Sequence, residues 1–420
     1  MGWVLILAVL VFLVLGFPMF LALVVAPLLV LMLYYPNMQE VFIVQQMIGG
    51  ISSFVFIAIP MYIFAADIMC YGHSANRLID FVRIFVRHVR GGMSIATAGG
   101  CMLFGAISGS SQATVVAVGR PMFAELLKGG YKEKDALAVI ISASGIAILI
   151  PPSTSMIMYG VVTGTSVGDL FIAGIGPGVL LFLMMAVYCY FAYTDAVRLP
   201  RATMPEILDV VKKALPTLGF PVLVMGGIYS GIFSPTEAAV AAVLFALCLE
   251  MFLYRTIGLK DLCAIAVSSG MVSAAVFIII AGGNVFSWMI SYARLPQEIL
   301  SVLLGTEPTA LYILVVTSVV FFIGALLVDP FVIIIILAPM FFPSALKAGI
   351  DPVHFGIVIT MQVVLGGIFP PFGPNIFTAC AVFNKPYLNV IRGIVPYLLI
   401  EIAACALVIF FPQISLFLLK

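Results

Sequence analysis

Charge is what this chain has least of. Only 9% of its 420 residues are Asp, Glu, Lys or Arg, against 64% hydrophobic, and its mean hydropathy is +1.26. So little polar surface cannot cover a water-facing globule, which places most of the chain in a bilayer with lipids as neighbours. A net charge of +1 with scattered basic residues offers no phosphate-tracking groove and excludes nucleic acid as a partner. Histidine is scarce: His73, His88 and His354 supply neither an HExxH pair nor a Ser-His-Asp set. No glycine-rich loop ending in Gly-Lys-Ser or Gly-Lys-Thr occurs, so the chain does not itself hydrolyse ATP through a P-loop. Cys70, Cys101, Cys189, Cys248, Cys263, Cys380 and Cys405 stand singly in apolar runs without CxxC spacing and read as small core residues. The stretch from Met1 to Tyr35 lacks a basic leader and a small-residue cleavage site, so it is expected to stay as membrane helix.

What the chain has is repetition. Gly105-Ala106 and Pro151-Pro152 recur about 219 residues later as Gly324-Ala325 and Pro370-Pro371. Between them Pro121-Met122 answers to Pro339-Met340, Gly130 to Gly349, and Gly176-Pro177 to Val395-Pro396. Upstream, Gly16-Phe17-Pro18 answers to Phe233-Ser234-Pro235. Duplicated apolar halves with helix breakers at matching places are the sequence signature of a secondary transporter.

With a span of about 20 apolar residues per crossing, residues 1–194 form a first repeat, 195–216 a cytoplasmic linker and 217–420 a second repeat. The first predicts short helices near 2–15 and 17–35 and a third near 50–72. An amphipathic interfacial helix follows at 73–90, a re-entrant hairpin at 92–127, a helix at 136–164 broken at Gly145 and Pro151-Pro152, and a helix at 170–194. The second predicts helices at 217–233, 236–253 and 264–290, then an interfacial stretch from Ser291 to Glu307. A hairpin at 308–343, a broken helix at 353–383 and a last helix at 389–416 complete it. The fold class is an all-α polytopic membrane protein of two repeats, each with five crossings and a hairpin. Five is odd, so the halves insert in inverted topology. Taking residues 73–90 as cytoplasmic puts fifteen of the 19 basic residues inside, Arg294, Lys347 and Lys420 outside and Arg120 in the first hairpin. The positive-inside rule supports that orientation, with both termini periplasmic.

A helix broken at mid-depth frees N–H and C=O groups that must meet protein, water or a solute. Four such breaks are predicted: Ser108-Gly109-Ser110-Ser111 and Leu327-Val328-Asp329-Pro330 at the hairpin tips, Gly145 with Pro151-Pro152-Ser153-Thr154, and Gly366-Gly367 with Pro370-Pro371-Phe372-Gly373-Pro374-Asn375. Unwound carbonyls, hydroxyls and at most one carboxylate suit Na⁺. Symmetry then suggests two ion pockets, one from Ser108, Ser110, Ser111 and the Gly145 carbonyl, the other from Asp329 and the Leu326 and Gly366 carbonyls. The four half-helix N-termini would suit an anionic solute between them, with Gly109, Pro151, Pro152, Ser153, Thr154, Pro370, Pro371, Gly373 and Asn375 around it. Each Gly-Ser cluster has the alternative role of close helix packing. Asp329, in an apolar run beside Pro330, either ligates an ion, relays a proton or pairs with a structural partner. Asp67, Glu237 and Glu401 are weaker candidates. Arg120 either attracts an anion or snorkels to the inner surface. A channel would repeat about its pore axis, and an intramembrane hydrolase would need an acidic mate for Asp329 near Ser110; neither pattern is present.

The residues Gly105-Ala106-Ile107-Ser108-Gly109-Ser110, Ile150-Pro151-Pro152-Ser153, Ala173-Gly174-Ile175-Gly176-Pro177-Gly178, Ser234-Pro235-Thr236-Glu237-Ala238, Ala348-Gly349-Ile350-Asp351-Pro352-Val353-His354-Phe355-Gly356 and Pro370-Pro371 carry a resemblance spanning nearly the whole chain. It resembles the large membrane subunit of tripartite ATP-independent periplasmic (TRAP) transporters. The resemblance implies a Na⁺-coupled elevator in a bacterial inner membrane, with two or more ions per cycle. It also implies a small four-helix membrane subunit not fused to this chain and a soluble periplasmic binding protein. Relatives of that kind move organic acids such as C4-dicarboxylates and sialic acid, and this chain is most similar to the sialic acid branch. An ion-coupled anion transporter without a binding protein is the alternative. Two departures stand out. The second tip has Pro330-Phe331 after Asp329 where many relatives have a hydroxyl residue, and the second break carries an extra proline before Asn375. They leave the second pocket's oxygen count and the role of Asn375 open.

Overall fold

A computed structural model describes residues 2–194, 197–305 and 308–419. Met1, Asp195, Ala196, Thr306, Glu307 and Lys420 lie outside the described residues. With them go the start of the expected linker, the end of the expected interfacial stretch and one of the three basic residues assigned to the outside. Among the described residues every regular element is helical.

The first copy opens with α1 (Gly2–Val14) and α2 (Met19–Tyr34), hinged where Gly16 takes a left-handed φ of 79°. The helix predicted near 50–72 is a 3₁₀ turn at Phe54–Ile57 running into α4 (Ala58–Tyr71), and a helix that was not expected, α3 (Val41–Ile51), precedes it. The serine pair at 52–53 explains the break. The Ser52 hydroxyl donates back to the Ile48 carbonyl at 2.6 Å and Ser53 goes extended, the local competition by which serine ends helices. The amphipathic α5 (Ser74–Val86) has its N-terminus held by Glu250, a fully buried carboxylate accepting from the backbone N–H groups of His73 and Ser74 at 3.3 and 3.1 Å. Orphan first-turn donors and the helix dipole both favour a carboxylate there.

The hairpin is α6 (Gly92–Ser108) and a kinked return, α7 (Ser111–Ala117) and α8 (Gly119–Lys128). The broken helix is α9 (Glu133–Ser144), α10 (Ile146–Leu149) and α11 (Thr154–Thr163), and α12 (Val167–Ala192) closes the copy. The second copy has α13 (Met204–Tyr229), which begins inside the expected linker because Thr203 and Glu206 form a capping box with Pro205 in the first turn. α14 (Pro235–Leu247) runs into a π-helical turn at Cys248–Leu253 that carries Glu250; α15 (Leu259–Tyr292) and α16 (Leu295–Leu304) follow. The second hairpin is α17 (Ala310–Leu327) and α18 (Pro330–Lys347), and the second broken helix is α19 (Pro352–Ile368) and α20 (Pro374–Phe383). The predicted single last helix is three pieces, α21 (Tyr387–Ile391), α22 (Val395–Phe410) and α23 (Gln413–Leu416), interrupted at Arg392-Gly393 and before Pro412.

The copies keep their offset in space. Gly92 and Ala310, Glu133 and Pro352, and Thr154 and Pro374 start matching helices about 219 residues apart, and Pro151-Pro152 and Pro370-Pro371 are both cis. α6 packs on α9 and α10, as α17 packs on α19. The second piece of each broken helix then crosses over, α11 against α18 and α20 against α7. That exchange brings both tips and both breaks to one place. α9 from Ala136 onward, α10, and α19 from Val353 onward are buried, which is where unwound backbone is tolerated in a bilayer. α15, by contrast, leaves most of the apolar side chains in its first half, up to about Ile279, at least partly exposed, suited to lipid. Its 34 residues at about 1.5 Å each exceed a hydrocarbon core of about 30 Å, so it tilts or extends beyond it.

Candidate cargo and ion site

At the first tip α6 ends on Gly109, whose left-handed φ of 59° turns the chain back. Any side chain here would drive into the Pro152 carbonyl, so the tip can seat on the first break only with glycine. Ser110 then caps α7, its hydroxyl accepting from the Ala113 N–H at 3.4 Å, and the Thr154 hydroxyl donates to the Gly109 carbonyl at 3.3 Å. The Ser108 hydroxyl stands 3.4 Å from the Ser110 carbonyl and 3.3 Å from the Thr114 hydroxyl, so uncharged oxygens gather within one turn. At the second tip Asp329 caps α18 by accepting the Phe331 N–H at 2.9 Å.

Between the tips lies a cavity of about 410 Å³. Of the expected residues, Ser108, Gly109, Ser110, Ser111, Thr154 and Asp329 line it. So do Gln112, Ser155, Gly367, Pro374 and Thr378, which were not singled out as its wall. The opposite wall is α4 and α15, through Ile63, Asp67, Val272 and Val276. The first residues of the elements following all four breaks, Ser111, Thr154, Pro330 and Pro374, face this space. Its charged lining residues are Asp67 and Asp329; among the described residues no Lys, Arg or His lines it. Asp67 accepts the Ser269 hydroxyl at 2.6 Å through Oδ2. Arg120 is exposed on α8 and is not part of the wall.

The other expected residues sit behind or beside the cavity. Pro151 and Pro152 are buried beneath Gly109, and Ser153 caps α11 through the Met156 N–H. Gly366 meets the Ala325 side chain so closely that a Cβ would overlap it, which seats α17 against α19. Leu326 lines a neighbouring cavity that shares Asp329, Pro374 and Thr378. The Pro371 carbonyl accepts from the Tyr387 hydroxyl at 3.0 Å, Pro370 stays at the cis bond, and Gly373 caps α20. Gly145 turns away from the cavity, toward Val364 and Glu401. Asn375 is fully buried and stitches three segments together. Its Oδ1 accepts the Ser111 hydroxyl at 2.8 Å, and its Nδ2 donates to the Ser144 hydroxyl at 3.3 Å. Asn375→Ala is expected to lower stability by about 2–4 kcal/mol, from two lost buried hydrogen bonds and the space left behind. Thermal unfolding in detergent measures it, and an unchanged transition would mean the stitch holds nothing.

The pattern described as "Tripartite ATP-independent periplasmic transporter, DctM component" matches residues 6–414. This chain belongs to that family. It is therefore a TRAP large permease, a multi-pass inner-membrane transporter subunit and not an enzyme, and the family implies a small membrane partner and a periplasmic binding partner. The permease is 48% identical to the ectoine TRAP transporter large permease protein TeaC of Halomonas elongata, over 97% of this chain and 96% of that protein. It is 48% identical to the ectoine/5-hydroxyectoine large permease protein UehC of Ruegeria pomeroyi, over 98% and 97%. In fold it is similar to the crystal structure of the Alcanivorax borkumensis YdaH transporter, with a TM-score of 0.65 at 15% identity, covering 91% of this chain and 90% of that one.

Of the missed residues in this permease, Gln112, Ser155 and Thr378 each follow a break by a few positions, so the break itself was the signal. Ser144 gave none, because a serine one residue before Gly145 reads as packing until Asn375 is seen beside it.

Proposed function

We propose that this permease imports ectoine, or a closely related zwitterion, together with Na⁺, receiving the solute from a periplasmic binding protein. The observation that carries the reading is the charge of the cavity. Two carboxylates and no basic side chain line it among the described residues, so a C4-dicarboxylate would bring like charge to like charge at low dielectric. Ectoine carries a ring amidinium and one carboxylate. The amidinium can meet a carboxylate through paired N–H donors, while its own carboxylate turns to the half-helix N-termini. The similarity to TeaC and UehC supports the same cargo, in place of the sialic acid and C4-dicarboxylate classes expected from the sequence.

In the proposed elevator cycle, hairpins and broken helices move as one body against the wall of α4 and α15, with both chain ends in the periplasm as the basic residues suggest. Sodium would sit among the tip oxygens at Ser108, Ser110 and Ser111 and near Asp329. Ser108→Ala removes one neutral oxygen without touching the Ser110 cap, and is expected to raise the Na⁺ concentration for half-maximal uptake roughly ten-fold. An unchanged sodium curve would leave Ser108 a packing residue. The reading as a whole is tested by uptake of labelled ectoine into proteoliposomes containing the permease and both partners under a Na⁺ gradient. Uptake of a dicarboxylate but not of ectoine would overturn it.

A further inference from the structure

Gly145, at the end of α9, leaves the cargo cavity to face a different group. A Cβ on Gly145 would stand 3.7 Å from Oε1 of Glu401 on α22 and 3.2 Å from the Ser142 carbonyl oxygen. Glu401 is 1% exposed and neither of its carboxyl oxygens has a hydrogen-bond partner. The Ser142 hydroxyl, one turn before Gly145 on α9, is 0% exposed and also unpartnered. No Lys, Arg or His among the described residues pairs with Glu401. A carboxyl and a hydroxyl thus stand unsatisfied near one helix break, and neither residue lines the cargo cavity.

A buried lone carboxylate is among the costliest groups a core can hold. A proton would cancel its charge but would leave the Ser142 hydroxyl still orphaned. A hard cation solves both problems together. Its oxygen ligands stand about 2.3–2.6 Å away, so it can join oxygens up to roughly 5 Å apart that are too distant to bond each other. We propose that Glu401 and Ser142, with the backbone at Gly145, form a closed site for one monovalent alkali cation, distinct from the cargo cavity, that locks α22 to the first broken helix. The choice of Na⁺ as first probe rests on the sodium coupling proposed above; the site itself does not.

The test is equilibrium binding of ²²Na⁺ to the purified full-length permease with its small partner, together with thermal unfolding in Na⁺, K⁺ or choline. Glu401→Gln is expected to lose one equivalent of bound Na⁺ and most of the Na⁺-dependent rise in melting temperature. Ser142→Ala, which deletes an orphan hydroxyl and should fold in choline as well as the wild type, is expected to weaken that one equivalent roughly ten-fold. It carries the test if the glutamine variant fails to fold. Unchanged Na⁺ stoichiometry in both variants would overturn the proposal. So would a wild-type melting temperature that responds to acidification and not to Na⁺ or K⁺, since that assigns a proton. Ectoine uptake indifferent to Na⁺, with the Glu401-dependent equivalent still bound, would sink the sodium coupling and leave this site standing.

Discussion

Asp329→Ala is expected to bring the proposed Na⁺-driven ectoine uptake in the three-component proteoliposomes to background, a loss of at least about a hundred-fold. The carboxylate has one visible structural duty, capping α18 through the Phe331 N–H. A lost cap costs about 1 kcal/mol, enough for only a several-fold change in any equilibrium, so a larger loss must come from what the charge does in the cavity it lines. Asp329→Asn separates the two duties. The amide oxygen can keep the cap while the charge is gone, so the asparagine variant is expected to melt like the wild type and still fail to transport. Full uptake by Asp329→Asn would reduce Asp329 to a helix cap and remove it from the ion pathway.

Much of this architecture was legible because a bilayer punishes broken helices. Gly109, Pro151-Pro152 and Pro370-Pro371 are affordable only where protein surrounds the freed backbone, so the breakers themselves mark the centre, and their recurrence marks the pseudo-symmetry. What local pattern could not carry is which break meets which. The crossover of α11 onto α18 and of α20 onto α7 depends on packing between halves, and the Ser111–Asn375 bond joins positions 264 residues apart. Short elements were lost for another reason. α3 carries Gln45, Gln46, Gly49 and Gly50, too polar and flexible to read as a span, and α13 begins on a capping box within what composition alone marks as linker. Asp67 reads as a weaker candidate in the sequence because it stands late in the helix expected near 50–72, toward the interface. The late start of α4, after the 3₁₀ turn at Phe54–Ile57, brings it instead to the level of the tips.

Asp67 carries the second large prediction. It sits on the α4 wall, opposite the tips, with Oδ2 held by Ser269 at 2.6 Å; Oδ1 has no bond among the described residues and is free for a cationic group of the cargo. Asp67→Asn keeps size and the hydroxyl contact but removes the charge. If the carboxylate meets the amidinium, half-saturating ectoine should rise by about ten- to a hundred-fold, the worth of one charge-assisted contact. The same substitution also removes a repulsion, so inhibition of the residual uptake by a C4-dicarboxylate should strengthen as ectoine binding weakens. A wall residue that only positions Ser269 would shift both ligands in the same direction. Competition curves for the two against labelled ectoine, in wild type and Asp67→Asn, therefore decide the matter by sign: opposite shifts place charge recognition at Asp67, and parallel shifts make it a packing residue of α4 and α15.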